Sequence, residues 1–252
     1  ILFNATGDES FSGRLDAVLD LARAFDAHVT LLHAIPYEAA GAIDFHGAAF
    51  AAMVPYWREE AEKLRDKTLD DLSNEGVSWN WVEAAGPVAL AMLRESSLHD
   101  LAVVSARDPN TVDGTPSFTA GELAVTADCP VLVLPDTCTR LDPSASALVA
   151  WDGSAEASHA LKAAVPLLHK AQTVYLATVK EPGKGAKEPE LPPVNGADYL
   201  SRHGISCEMI EVEAGDKGVS EALVAHAEHR KAGLIVMGAY GRTRLTERIF
   251  GG

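Results

Sequence analysis

Four glycines follow an apolar run near the end of the chain, and their spacing suits the binding of phosphate. The run from Leu234 to Met237 leads into Gly238, and Gly241, Gly251 and Gly252 follow. Glycines at the exit of a strand let backbone N–H groups turn toward one point and let a ligand approach the main chain. The spacing differs from G-x-x-x-x-G-K-[ST] and from G-x-G-x-x-G, so the two commonest nucleotide loops are excluded.

Written as G-x2-G-x9-G-G, this loop resembles that of the universal stress protein family. The family loop reads G-x2-G-x9-G-[S/T]. Gly238, Gly241 and Gly251 match its three glycines, whereas Gly252 stands where Ser or Thr is usual. The resemblance extends over essentially the whole chain and favours members with two such domains. It implies an α/β fold of two tandem Rossmann-like domains, each an open parallel sheet of order 3-2-1-4-5 with helices on both faces.

The resemblance also implies a bound ATP, ADP or AMP and gives further residues a role. Backbone groups of the four glycines would hold the phosphates. Asp152 matches the family's acid after the first strand, which contacts the ribose or a Mg²⁺ ion bound to phosphate. Val179 matches the position whose backbone meets adenine, and Met237 would pack near the ribose. Arg242 would add a charge-assisted contact to phosphate.

Each of these residues also has a purely structural interpretation. The glycines could serve only a tight turn, and Asp152 could cap the helix that begins near Ser154. Val179 would be apolar in any buried strand. Arg242 could lie on a solvated helix face together with Arg244 and Arg248. The sequence leaves these alternatives open.

Composition narrows the classes of partner. A formal net charge of −15 and a pI near 4.9 argue against nucleic acid or an anionic membrane as a partner, because both select for an excess of Lys and Arg. The 3 cysteines lack C-x-x-C spacing, which suits reduced thiols. No apolar run approaches the ~18 residues of a membrane span, and the chain opens without a signal-peptide pattern. We therefore expect a cytoplasmic location.

The chain contains two diverged copies of one unit. In each copy, apolar strands alternate with amphipathic stretches, which indicates a parallel sheet covered by helices on both faces. One predicted helix spans Pro55–Asn74, with Pro55 in its first turn. The matched stretches are 1–7 with 148–153, 82–90 with 212–220, and 100–105 with 233–238.

This repetition predicts the domain organisation. We predict domains at 1–138 and 147–252, and we expect the second to lack the last helix and strand of the family pattern. The strand Val131–Leu134 would lie at a sheet edge, where an apolar strand promotes association unless it is covered. We therefore expect the two copies to pack as an intrachain pseudo-dimer, with a homodimer as the alternative.

The position of the site follows from the strand order that the resemblance implies. Open α/β sheets bind ligands at the carboxyl ends of the strands where the order reverses. In the second copy, Asp152 and Gly238 should meet at that place. In the first copy, Thr6 stands in place of Asp152, and Asp108 stands in place of Gly241 and would direct a carboxylate at the phosphates. We therefore expect one nucleotide per chain, held in the second copy.

The sequence favours an ATP-binding stress protein that acts as a sensor or regulator. No dedicated general base stands beside the glycine loop, so we expect at most slow ATP hydrolysis. One alternative is a scaffold that binds no nucleotide, because Gly252 replaces Ser or Thr. Another is a nucleotide-using enzyme such as an adenylyl transferase, which would need a His or Lys signature after the first strand. The stretch from Asp152 to Glu156 has none.

Overall fold

Strands and helices alternate along the chain, as the repeated pattern of the sequence predicts. The computed structural model describes residues 1–35, 48–109, 111–112, 115–180, 191–216 and 218–239, with the backbone alone at 48–52. Contacts divide the chain into two units, Ile1–Leu141 and Asp142–Gly252. The domain bounds 1–138 and 147–252 themselves stay a prediction.

The first unit contains a parallel sheet that confirms the predicted strand order. Its strands are β1 (Leu2–Asn4), β2 (Val29–Ile35), β3 (Trp79–Ala85), β4 (Ala102–Ser105) and β5 (Val131–Leu134). Its helices are α1 (Phe11–Phe25), α2 (Ala48–Leu72), α3 (Val88–Ser96) and α4 (Phe118–Thr126). The sheet has the order β3-β2-β1-β4-β5. Strand β5 lies at an edge as expected, while its pairing with a second strand and the pseudo-dimer stay predictions.

The second unit repeats this arrangement. Its strands are β6 (Ser146–Ala150), β7 (Val174–Lys180), β8 (Cys207–Glu213) and β9 (Ala232–Val236). Its helices are α5 (Ala155–Leu168), α6 (Pro193–Arg202) and α7 (Val219–His229). Within the described residues the sheet has 4 parallel strands in the order β8-β7-β6-β9, which repeats the order of the first four strands of the first unit.

Both faces of each sheet are covered because the strands are apolar on both sides. In the first unit, Phe3 and Leu31 pack with α1 on one face, and Leu2 and Leu32 pack with α3 and α4 on the other. In the second unit the two faces pack in the same way against α5 and α6 or against α7. Each large apolar side chain that is fully buried stabilises the fold by about 1.5–3 kcal/mol. This burial fixes the sheet as a rigid platform for the loops at its edges.

Two details of the sequence prediction are wrong. Helix α2 begins at Ala48, and Pro55 lies inside it rather than in its first turn. The alanine-rich stretch before Pro55 has a high helix propensity, which extends the helix toward the amino end despite the proline. In the sheets, Val82 pairs with Leu32 and Ile210 pairs with Ala177. The register therefore matches Val82 with Ile210 rather than with Val212.

Among the described residues of the first unit, one charged side chain is fully buried. Arg14 on α1 is only 1% exposed. Its guanidinium donates to the Thr6 hydroxyl at 2.8 Å, to Asp8 at 2.5 Å and to Asp136 at 3.4 Å. Asp136 also accepts a hydrogen bond from the Ser105 hydroxyl at 3.2 Å. The guanidinium therefore links the turns that follow β1 and β5, and Asp136 extends this link to the last residue of β4.

The ionisation of Asp8 reports on this network. Its partial burial would raise the pKa of the carboxyl group. Hydrogen bonds from Arg14 and Thr6, the charge of Arg14 and the backbone N–H of Ser10 act in the opposite direction and outweigh it. The pKa of Asp8 therefore lies below its ordinary value, and the folded state favours the carboxylate.

We expect Arg14→Ala to lower the free energy of unfolding by about 3 kcal/mol, because removing one partner of a buried ion pair leaves the other charges without compensation. Arg23→Ala is the matched control. Arg23 is 44% exposed and pairs with Asp20 and Glu75 at the surface, so its loss should cost less than about 1 kcal/mol. Urea denaturation of both variants measures the difference. Equal losses would show that the Arg14 network does not stabilise the first unit.

The stability contributed by Asp8 should depend on pH. Because its folded pKa lies below the unfolded value of about 3.9, this contribution is present above about pH 4 and is lost as the pH falls through the folded pKa. We expect Asp8→Asn to be less stable than the parent near neutral pH, with the gap shrinking below about pH 4. Urea denaturation at several pH values tests this, and Asp66→Asn at an exposed position of α2 is the control. A gap that does not shrink in acid would contradict the assignment.

Candidate functional site

The strand order of the second unit reverses between β6 and β9. Strand β6 pairs with β7 on one side and with β9 on the other. The loops that leave the carboxyl ends of β6 and β9 therefore diverge, and such a place is where open α/β sheets bind ligands. We call this place the carboxyl edge of the second unit. The residues that follow β6 and β9 are the ones that line it.

Gly238 lies against the first turn of α5. A Cβ atom added to Gly238 would come within 2.8 Å of the carbonyl carbon and the Cβ of Glu156, and within 2.9 Å of the Ala157 nitrogen. Two of these atoms belong to the helix backbone, so a side chain could not be accommodated by a rotamer change. Glycine is required at position 238 because there is no space for a Cβ atom. The exit of β9 thus touches the amino end of the helix that follows β6.

Asp152 lies in the turn between β6 and α5. It is exposed, and its Oδ1 accepts a hydrogen bond from the backbone N–H of Ser154 at 3.0 Å. Ser154 is the N-cap of α5, and its hydroxyl accepts from the Ala157 N–H at 3.1 Å. Asp152 therefore holds the turn, while Ser154 caps the helix. Within the described chain, no protein donor is found for the Oδ2 of Asp152.

Val179 and Met237 lie at the same edge of the sheet. The side chain of Val179 packs in the apolar cluster around α7. The carbonyl of Ala177 accepts from the Trp151 N–H, whereas that of Lys180 accepts from the Ala214 N–H beyond β8. Backbone groups alternate between the two sides of a strand, so those of Val179 point past the end of β6. This places the backbone of Val179 toward the carboxyl edge.

The structure adds a polar group that the sequence does not reveal. The hydroxyl of Thr178 is buried and has no hydrogen-bond partner within the described residues. In the first unit the equivalent position is His33, whose Nδ1 contacts the Ala5 carbonyl at 2.9 Å. Threonine is common in strands, so no pattern in the sequence distinguishes Thr178. A buried hydroxyl without a partner beside this edge is a group that a ligand could satisfy.

The predicted site includes residues that the structure describes and residues that it does not. Gly241, Arg242, Gly251 and Gly252 lie outside the described residues. Asp152 and Gly238, by contrast, both lie around the start of α5. Val179 lies near the end of β7 and Met237 directly follows β9, and these two strands flank β6. Among the described residues there is no group of three or more His, Cys, Asp or Glu side chains that could hold a metal ion. Asp152 would therefore serve Mg²⁺ only together with phosphate oxygens and water.

The first unit presents a different set of side chains at the corresponding edge. Ser105 corresponds to Gly238 and Thr6 to Asp152, because Leu2 pairs with Ala102 as Leu148 pairs with Ile235. Arg14 then corresponds to Ala160 on α5. The guanidinium network has no counterpart there, because the side chain of alanine ends at Cβ. Among the described residues of the second unit, the position that Arg14 fills in the first unit therefore carries no cation.

The structure shows which groups the Asp108 carboxylate binds in the first unit. Its carboxylate accepts from the Ser117 hydroxyl at 2.8 Å and from the backbone N–H groups of Phe118 and Thr119 at 2.6 and 3.3 Å. These three donors lie at the amino end of α4. The carboxylate therefore occupies a helix end, where the dipole attracts an acid. The expectation that it faces a phosphate position stays a prediction.

A cavity of about 380 Å³ lies near the carboxyl ends of β2 and β3 in the first unit. It is lined by Ile35, Arg58, Ala61, Glu62 and Glu83. Two carboxylates and one guanidinium make its wall net acidic. Such a wall disfavours a polyphosphate, which is itself an anion.

No helix within the described residues is both long and apolar enough to cross a membrane. A search of curated proteins found no match.

Two solved structures share the fold of most of this chain. A universal stress protein from Archaeoglobus fulgidus has 17% identity, a TM-score of 0.68, and coverage of 93% of this chain and 83% of its own. A putative universal stress protein from Pseudomonas aeruginosa has 17% identity, a TM-score of 0.53, and coverage of 99% and 87%.

A third structure, a universal stress protein in complex with cAMP, covers 54% of this chain and 95% of its own at 18% identity and a TM-score of 0.34. That nucleotide belongs to that protein. The sequence comparison is more specific. Residues 146–252 match the model of the Universal stress protein family. The second unit is therefore a universal stress protein domain, and the chain shares the fold of solved universal stress proteins.

Proposed function

We propose that the second unit binds one adenine nucleotide, ATP in the first instance, and that the protein acts as a sensor or regulator in a stress response. The observation that carries this proposal is the contact of Gly238 with the first turn of α5. It brings the exit of β9 to a helix amino end at the place where the strand order reverses. A helix amino end favours anions through its free N–H groups and its dipole.

The remaining groups at this edge suit the other parts of a nucleotide. The backbone of Val179 extends past the end of β6, where it could meet the edge of a base. The unpartnered hydroxyl of Thr178 lies beside it. Asp152 offers a carboxylate oxygen to a ribose hydroxyl or to Mg²⁺. The glycines at 241, 251 and 252, with Arg242, would complete the phosphate contacts.

The proposal is limited to binding. Magnesium prefers one or two carboxylates together with phosphate oxygens and water. Asp152 would supply the carboxylate of such a site. We assign no general base, and hydrolysis is expected to be slow at most. A net charge of −15 fits a protein that works with small molecules or proteins rather than with nucleic acid. We place this activity in the cytoplasm.

Titration calorimetry with Mg-ATP should give a stoichiometry near one per chain. The physical reason is that the first unit carries Thr6 in place of Asp152, Asp108 in place of a loop glycine, and the buried Arg14 in place of Ala160. Nuclear magnetic resonance of the labelled protein should place the shifted amides around Asp152 and Gly238. A stoichiometry near two would overturn the restriction to the second unit. No binding at all would favour the scaffold alternative.

Gly241→Asp should abolish ATP binding while the protein stays folded. The first unit already carries an acid at this position. A carboxylate about 4 Å from a phosphate charge costs about 4 kcal/mol, so the affinity should fall by about a thousandfold. Calorimetry measures the affinity, and circular dichroism checks the fold.

Gly121→Asp is the matched control for this variant. A Cβ at Gly121 meets no atom within 4 Å, and the residue lies on α4 in the first unit. It adds the same charge at a residue that is not part of the proposed site, so ATP affinity should stay within about threefold of the parent. A folded Gly241→Asp variant that also binds within about threefold would mean that the glycine loop is only a turn.

A further inference from the structure

The first unit holds an acid at a helix end where an anion would bind. The Asp108 carboxylate accepts hydrogen bonds from the backbone N–H groups of Phe118 and Thr119 and from the Ser117 hydroxyl. Helix α4 has 9 residues and begins at Phe118. Its first N–H groups have no partner within the helix and carry the positive end of its dipole. A carboxylate in this position does for the helix what a bound phosphate would do.

The repeat shows what this acid replaces. Ser105 corresponds to Gly238 by the register of the two sheets. From there the two loops run at the same spacing in the sequence. Asp108 therefore corresponds to Gly241, and Phe118 and Thr119 correspond to the pair Gly251 and Gly252.

Three residues of the first loop that correspond to the glycine pattern are thus hydrogen-bonded, because Asp108 accepts from both Phe118 and Thr119. The acid stands at the second glycine position, and the N–H groups that it binds stand at the final glycine pair. The donors of the helix end have not been lost in the first unit. They are satisfied by a side chain of the same loop.

Neighbouring side chains close the first unit further. Ser105 is the last residue of β4, and its hydroxyl donates to Asp136. Asp136 also contacts Arg14 and Arg107. At the end of β1, Asn4 is only 6% exposed, and its Oδ1 has no partner within the described residues. A buried polar atom without a partner is unusual in a fully packed interior. The polar and charged groups at the exit of β4 are therefore bonded to one another, whereas the Oδ1 of Asn4 is an acceptor and would not bind an anion.

We propose that the first unit is closed by an internal anion: the Asp108 carboxylate occupies the amino end of α4 and thereby excludes phosphate from it. This contact is autoinhibitory, and it does not depend on nucleotide binding by the second unit. Removal of the carboxylate should expose the N–H groups of Phe118 and Thr119 as an anion site. An amide of the same size should not, because its oxygen still accepts from the same donors.

Inorganic phosphate is the probe, and the backbone amide signals of Phe118 and Thr119 in the full chain are the readout. In Asp108→Gly we expect saturable shifts of both signals at millimolar phosphate. In the parent and in the matched control Asp108→Asn we expect affinity at least about tenfold weaker. These two amides report on the first unit alone, so the result is separate from the outcome of ATP titration at the second unit.

Asp108→Ala serves as a second variant, since alanine restricts the backbone of the loop more than glycine does. Amide signals of the second unit and circular dichroism check the fold of both variants. A folded variant whose Phe118 and Thr119 signals do not respond to phosphate would overturn the proposal. Unfolding of both variants would also overturn it, because the contact would then be required for folding rather than for exclusion of an anion.

Discussion

Backbone N–H groups at the start of a helix need acceptors, and this requirement shapes both units of the protein. At the edge where the strand order reverses, a helix begins directly after the central strand of each sheet, and another follows the fourth strand of the first unit. In the first unit, Asp108 supplies the acceptor for α4. In the second unit, Ser154 caps α5, and Gly238 brings the exit of β9 against the same turn.

The two units therefore use one fold in two ways. The first fills its carboxyl edge with its own charges, since Arg14 joins Asp8 and Asp136 beneath the loops. The second has Ala160 in place of this arginine and an exposed carboxylate at Asp152. Fold alone does not separate these cases. The difference lies in a few side chains at the ends of equivalent strands.

Much of the fold follows from the sequence because burial dictates it. Near-continuous apolar strands between amphipathic helices predict parallel sheets, and the order 3-2-1-4-5 implied by the resemblance is confirmed in the first unit. The start of α2 was not predictable from Pro55, since the alanine-rich stretch before it outweighs the proline signal. The match of Val82 to Val212 is wrong because Val212 and Ile210 are similar residues two positions apart, and both face the same side of the strand.

The site is less predictable, since it depends on contacts that are distant in sequence. Arg14 stands among the apolar residues of α1, yet nothing in the local pattern indicates that Asp136 lies beside it. Asp108 was expected to repel phosphate, but its attachment to α4 requires knowledge of where that helix begins. The burial of the Thr178 hydroxyl is likewise a property of the packed sheet. The roles of Gly241, Arg242, Gly251 and Gly252 stay predictions.

The central claim is that the second unit holds one adenine nucleotide. Mass spectrometry of the small molecules released when freshly purified protein is denatured tests it most directly, with Gly241→Asp purified in parallel. We expect ATP, ADP or AMP from the parent at up to about one equivalent per chain, and none from the variant. Release of no adenine nucleotide from a parent that also fails to take up added Mg-ATP would contradict the account, as would equal release from both proteins.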